Sequence, residues 1–200
     1  MSETKPLPIV KEPNKALRKK AADILIRDIS KPKIQGLIAA MKAALASTPD
    51  GVGLAAPQVG RAIAIFIVSE EAEEIDRAEK QGWERRMKES PEIKSEKPYQ
   101  NREWKYYVFI NPEVKNRSRR RQDGPEGCLS VPGEFGAVKR YEKITVEAYN
   151  EQGKKFTRGA SRFFARVIQH ELDHLDGILF TDKTDKMPES PTENKKSTLS

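Results

Sequence analysis

A chain of 200 residues and 22.6 kDa suits one domain with a real core and room for an insertion. Its residues are 34% charged and 36% apolar, so part of the chain should lie outside that core. The net charge of +7 suits polyanionic partners such as nucleic acid or the ribosome, the single cysteine rules out an intrachain disulfide, and no apolar run nears the roughly 20 residues that span a bilayer.

Residues 1–12 read as extended, since Pro6, Pro8 and Pro13 oppose helix. Ala16 to Ile24 suits a short helical turn. A helix over residues 31–47 follows, with Ser30 as its cap and Pro32 in its first turn. Ile34, Leu37, Ile38, Met41, Ala44 and Leu45 give it one apolar face, and Pro49, Asp50 and Gly51 end it. Ala62 to Val68 has the β-branched content of a buried strand. Residues 69–105 hold eleven acidic and nine basic side chains in 37 positions, which predicts an exposed insertion, partly helical near Glu70–Lys80. Tyr106 to Ile110 resumes a strand that Asn111-Pro112 should end. The basic run Lys115, Arg117, Arg119, Arg120 and Arg121 reads as solvated surface, with no interleaved aromatic platform for specific nucleic-acid reading. Val138 to Tyr149 predicts one long strand, with Ile144, Val146 and Ala148 alternating. Glu151-Gln152-Gly153 turns the chain into a short strand over Lys155–Arg158, and Arg162 to Leu175 is a helix. Residues 181–200 carry only Met187 and Leu199 as aliphatic side chains and should be disordered.

Both histidines fall in His170-Glu171-Leu172-Asp173-His174. Helical residues four apart share a face, so the two imidazoles can converge on one metal ion. Glu171 then lies beside the ion, where a carboxylate can take a proton from water. A catalytic metal usually has a third protein ligand, and no third histidine exists. A carboxylate or Cys128 could serve. Cys128 lies within Gly124-Pro125-Glu126-Gly127-Cys128-Leu129-Ser130-Val131-Pro132-Gly133. Its flanking glycines let the backbone approach an ion, its prolines stiffen the run, and a thiolate is the better soft ligand.

Three blocks together resemble the peptide deformylase family. They are Gly51-Val52-Gly53-Leu54-Ala55-Ala56-Pro57-Gln58, Glu126-Gly127-Cys128-Leu129-Ser130 and His170-Glu171-Leu172-Asp173-His174, in the family's order. The resemblance covers about residues 6–182. It makes residues 1–182 one catalytic domain carrying the 69–105 insertion, with 183–200 as a disordered tail. It implies a metal-dependent hydrolase that removes the formyl group from N-formylmethionyl nascent peptides and releases formate. Cys128, His170 and His174 would hold the metal, iron(II) by resemblance, in a site that zinc, nickel or cobalt also fits. Water on the metal would attack the formyl carbon, with Glu171 as general base and then acid. The Gln58 side chain and the Leu129 backbone N–H would bind the oxyanion. Gly53, Val52, Gly127, Val167 and Phe163 are expected to bind substrate, with Gly53 giving close backbone approach. Glu126 and Arg140 should pair and hold the cysteine loop. The single cysteine, the lack of an apolar signal region at Met1 to Lys5 and the short apolar runs suit a soluble cytoplasmic protein of bacterial type, with an organellar origin also open, and no membrane partner.

The competing readings are an H-E-x-x-H metallopeptidase and a non-catalytic ribosome- or RNA-binding relative. The first leaves the cysteine block unexplained, and the second needs neither Glu171 nor Gln58. The expected fold is α+β: antiparallel β-sheets surrounding a central metal-binding helix, with the 31–47 helix packed outside.

Overall fold

Every residue of Ile65-Phe66-Ile67-Val68 is buried, so this strand is covered on both faces. The computed structural model describes residues 5–77 and 105–184 and shows what covers each face. Ile65 and Ile67 pack with Ile38, Met41 and Leu45 of helix α1 (Pro32–Ala46). Phe66 and Val68 pack with Phe164, Ala165 and Ile168 of helix α3 (Arg162–Leu175). Each of these buried side chains larger than alanine stabilises the fold by about 1.5–3 kcal/mol. The helix carrying the histidines is thus seated in the core, and the other helix lies across the sheet from it.

The sheet is antiparallel with five strands in the order β1-β2-β3-β6-β7. These are β1 (Gly53–Ala55), β2 (Ile65–Ser69), β3 (Tyr106–Arg117), β6 (Lys143–Tyr149) and β7 (Lys155–Ser161). Phe66 pairs with Phe109 across β2 and β3, with ring centroids 4.6 Å apart. A separate hairpin, β4 (Arg121–Cys128) with β5 (Val131–Tyr141), closes over α3 on the side away from the sheet. Residues 71–77 form a helical segment, α2, directly after β2.

Several boundaries differ from the sequence reading, each for a local reason. The cap of α1 is Lys31, extended at ψ 145 because it precedes Pro32, and not Ser30. The strand at Tyr106 does not end at Asn111-Pro112. Asn111 takes φ 47, the register shifts between Ile110 and Glu113, and the strand continues to Arg117. This bulge accommodates the proline, and the Asn111 amide bonds Ile24 N and O at 2.9 and 2.7 Å. The long strand expected over 138–149 is two strands in different sheets. The Gln169 amide occupies both Tyr141 backbone groups, at 3.0 and 2.9 Å, where a ladder would otherwise continue. The cysteine block, expected as a loop, is strand β4. At the other end, β7 runs on to Ser161.

Residues 78–104 of the expected insertion and 185–200 of the expected tail lie outside the described residues. Ser69 closes β2, and Lys183 bonds Asp173 at 2.6 Å, so neither belongs to a free segment. No helix among the described residues is long and apolar enough to cross a membrane.

Candidate metal centre

His170 and His174 stand one turn apart on α3 with ring centroids 4.9 Å apart. The strand β4 delivers Cys128 to them. Its pairing with β5 slips between Gly127 and Cys128, and the thiol turns inward. Cys128 Sγ lies 3.2 Å from His174 Nε2, and one donor atom from each of the three residues lies within 4.8 Å of the others. One thiolate and two imidazoles form a donor set for a divalent ion of intermediate softness. Glu171 Oε2 is buried beside them without a hydrogen-bond partner among the described residues, as a carboxylate aimed at an ion or its water would be. The residues therefore fit a metal ion. His174 Nδ1 likewise has no such partner, so the orienting contact that metal-bound imidazoles usually make exists only for His170.

That contact belongs to a buried charge cluster. Glu126 is 6% exposed. It contacts His170 Nδ1 at 2.9 Å, accepts from Arg140 Nε and Nη2 at 2.8 Å each, and accepts from Arg166 Nη1 at 3.0 Å. Arg140 also reaches Asp173 at 2.5 Å, so the expected Glu126–Arg140 pair extends back to the helix. Burial would raise the Glu126 carboxyl, but the Arg140 guanidinium and His170 outweigh it and hold it down to about 2. Burial would lower His170; its bonds to Cys128 and Glu126 prevail and lift it to about 10 without an ion. His174 is pushed well below its ordinary value by burial and by the neighbouring His170 charge. Glu171 is raised to about 7, chiefly by burial.

Gln58 sits in a one-turn helix, Ala56–Val59, that Gly60 closes at φ 74. Its Oε1 accepts from Ala55 N at 2.8 Å, which fixes the amide so that Nε2 faces Cys128 Sγ at 3.5 Å and Ser130 Oγ at 3.3 Å. The segment 10–12 ties the two loops together. Val10 N donates to Gln58 O at 2.8 Å, Glu12 N donates to Ser130 O at 2.9 Å, and Lys11 Nζ bonds Leu129 O.

A cleft of about 440 Å³ opens beside the donor atoms. It is lined by Val52, Gly53, Gln58, Gly127, Cys128, Leu129, Phe163, Val167, His170 and Glu171, so these expected site residues border one cleft, and His174 is buried outside its lining. Gly53 lines this cleft and also serves the packing behind it: a Cβ there would collide with Glu171 Oε1 and approach Val167 Cγ1 to 3.0 Å, so the bare backbone lets α3 come close. Gly127 similarly makes room for the Phe135 ring, whose Cε1 would lie 2.8 Å from an added Cβ.

Sequence reasoning missed Ser130, Arg166, Phe135 and Lys11. Arg166 had a readable signal, being a cation four residues before His170 on the ligand face. It spends its donors on Gly124 O, Val138 O, Gln122 O and Glu126, sewing the hairpin to α3. The others lie in segments with no periodic pattern.

The chain matches the family model described as polypeptide deformylase over residues 6–190. It is 40% identical over 177 residues to a peptide deformylase of Symbiobacterium thermophilum, covering 88% of this chain and 66% of that one. It is 37% identical over 175 residues to peptide deformylase 1A, chloroplastic/mitochondrial, of Arabidopsis thaliana, covering 88% and 60%. The chain therefore spans about two thirds or less of the length of these two relatives. A class I type b peptide deformylase from Acinetobacter baumannii, solved with Met-Ala-Ser bound, superposes with a TM-score of 0.70 at 31% identity, covering 90% of this chain and 99% of that one.

Proposed function

The chain belongs to the polypeptide deformylase family, and we propose that it hydrolyses the formyl amide of N-formylmethionyl peptides to formate and a free amine. The observation that carries this is the convergence of Cys128, His170 and His174 in one cleft with Glu171 and Gln58. The Acinetobacter relative holds Met-Ala-Ser, the product such a reaction leaves.

Cys128, His170 and His174 would hold the ion, and iron(II) is the metal we propose. When bound, a divalent ion there makes water nucleophilic near neutrality and polarises the formyl oxygen. Glu171 takes the proton of the attacking water. Its burial-raised pKa near 7 suits both that transfer and return of the proton to the amine nitrogen. The return matters because an amide anion leaves poorly. Gln58 Nε2, oriented by Ala55, and the Leu129 backbone N–H donate to the developing oxyanion. Val52, Leu129, Val167 and Phe163 give the methionine side chain its apolar wall, and the backbone at Gly53 and Gly127 borders the peptide's path.

A basic turn at Arg117–Arg121 adds a partner to this reading. Arg117 and Arg121 lie over the Tyr141 ring at 5.4 and 4.3 Å, which gathers these two cations on one patch. Such a surface would suit ribosomal RNA, and co-sedimentation lost only at high salt is the expected result.

The test of the activity is formate release from formyl-Met-Ala-Ser by protein purified anaerobically with iron(II), beside Glu171→Ala. Turnover that the variant loses while keeping its metal supports the proposal. Metal-loaded wild type without turnover refutes it.

A further inference from the structure

Asp76 reaches the start of α3 from a separate element, α2. Its Oδ1 accepts a hydrogen bond from the Phe163 backbone N–H at 3.1 Å. Ser161, the residue at the N-cap, makes no capping bond with its own side chain. The Asp76 carboxylate supplies that acceptor from outside the helix, at the helix's positive end. The backbone there is strained, because Arg162 takes φ 49, a conformation that residues with a Cβ rarely adopt. The Arg162 N–H donates to Glu142 O at 2.8 Å, so the N–H groups of Arg162 and Phe163 are each held by another element. α2 is itself pinned to the sheet. Glu73 Oε2 accepts from Tyr107 Oη and from Arg158 Nη2, each at 2.7 Å. The Arg158 guanidinium lies 4.5 Å from the Tyr107 ring centroid and 5.4 Å from that of Phe164. Directly after the strained turn, the Phe163 side chain lines the cleft beside Val167.

We propose that Asp76 is a positioning residue for substrate selection: its bond to the Phe163 N–H fixes the first turn of α3 and, with it, the Phe163 wall of the cleft. This rests on the deformylase reading of that cleft. Asp76 bonds α3 seven residues before His170, so its effect falls on the side-chain pocket and leaves the reacting groups in place.

The test measures kcat and KM of the metal-loaded full chain on formyl-Met-Ala-Ser and formyl-Ala-Ala-Ser, for wild type, Asp76→Ala and Asp76→Asn. In Asp76→Ala the Met-over-Ala ratio of kcat/KM falls about tenfold, through a higher KM for the methionine peptide, with kcat nearly unchanged. Asparagine keeps an oxygen that accepts from the Phe163 N–H and restores the ratio to within about twofold of wild type, a rescue that general destabilisation would not give. An unchanged ratio in Asp76→Ala, or an equal loss of kcat on both peptides, overturns the proposal. Should the alanine variant not fold, Glu73→Gln, which loosens α2 on the sheet, must shift the ratio the same way, and no shift overturns it. Wild type that turns over neither peptide overturns the deformylase reading and this inference together. Wild-type turnover with unaltered variant ratios overturns the inference alone.

Discussion

Replacing Glu126 by glutamine keeps the side chain's shape and removes the negative charge that Arg140, Arg166 and His170 share. Arg140 and Arg166 are 5% and 9% exposed, so without Glu126 the buried Arg166 would have no carboxylate partner among the described residues and the buried Arg140 would keep only Asp173. The depression of the Glu126 carboxyl from 4.5 to about 2 corresponds to about 3 kcal/mol, at 1.36 kcal/mol per pH unit. Breaking one side of a buried ion pair costs about 3–5 kcal/mol, which agrees. Glu126→Gln should therefore lose about 3 kcal/mol of unfolding free energy at pH 7, read by urea denaturation of chelator-treated protein. The pH dependence has a definite sign. A carboxylate with a depressed folded pKa contributes its full stability above the unfolded value of 4.5 and loses it as pH falls toward about 2. By pH 3 about 2 kcal/mol of the difference between wild type and variant should be gone. A difference below about 1 kcal/mol at pH 7, or one that stays constant down to pH 3, would refute the reasoning, since an exposed pair behaves that way.

Gln58→Ala should lower kcat by about 10²–10³ with metal content unchanged. It also leaves the buried Ala55 N–H without its acceptor, at about 1–3 kcal/mol of stability, so denaturation and turnover should be measured on the same preparation. A kcat within tenfold of wild type would remove Gln58 from the oxyanion role. Gly53→Ala drives a methyl group into Glu171 and should cost on the order of 10² in kcat/KM with metal content unchanged. Full activity in that variant would mean that Glu171 need not stay where it is. His170, lifted to about 10 without an ion, carries a proton at pH 7 that ligation must displace, because only the neutral ring nitrogen binds. Zinc titration calorimetry in buffers of different ionisation enthalpy should report proton release near pH 7, and apparent affinity should weaken as pH drops toward 6. No released proton would contradict the charge state assigned to His170.

The chemistry of this chain was more legible than its shape, for reasons that particular residues make clear. His170, Glu171 and His174 were readable because helical period fixes their relative placement without tertiary information. Cys128 was readable from its glycine- and proline-flanked block, from the softness of a thiolate, and from the family resemblance, because 30 carboxylates left the third ligand open on composition alone. The shape of its strand was hidden, since β4 carries Gly124, Pro125 and Gly127 where a strand would show β-branched residues. The continuation of β3 past Asn111-Pro112 was hidden by a bulge that side-chain bonds to Ile24 stabilise. The break after Tyr141 depends on Gln169, 28 residues away, and no local pattern encodes that. Asp76 stood among charges that read as solvated surface, and only the tertiary fold brings it to α3.

The hairpin that carries Cys128 explains why so much charge is buried here. Along β4, Glu126 is the one residue that is fully buried, so the strand contributes almost no apolar area toward α3. Apolar packing on this side comes from Val131 and Val138 of β5 with Leu17, Leu179 and Phe180. What positions β4 is polar: Arg166 on three hairpin carbonyls, and Glu126 clamped between two arginines and His170. Such a network is directional where apolar contact is not. It sets the β4 register, and hence the place of the thiol, by hydrogen-bond geometry. It also links a metal ligand to the hairpin through a single carboxylate, because the imidazole that would bind the ion is oriented by the same Glu126 that anchors the strand bearing Cys128. Two ligands from distant parts of the chain are thereby held to one geometry. Exchanging a buried ion cluster for apolar residues of equal volume is often neutral or stabilising, but here it would leave His170 without its orienting partner and β4 free to slip. The retention of so much buried charge follows from the site's need for placement more than from the fold's need for stability.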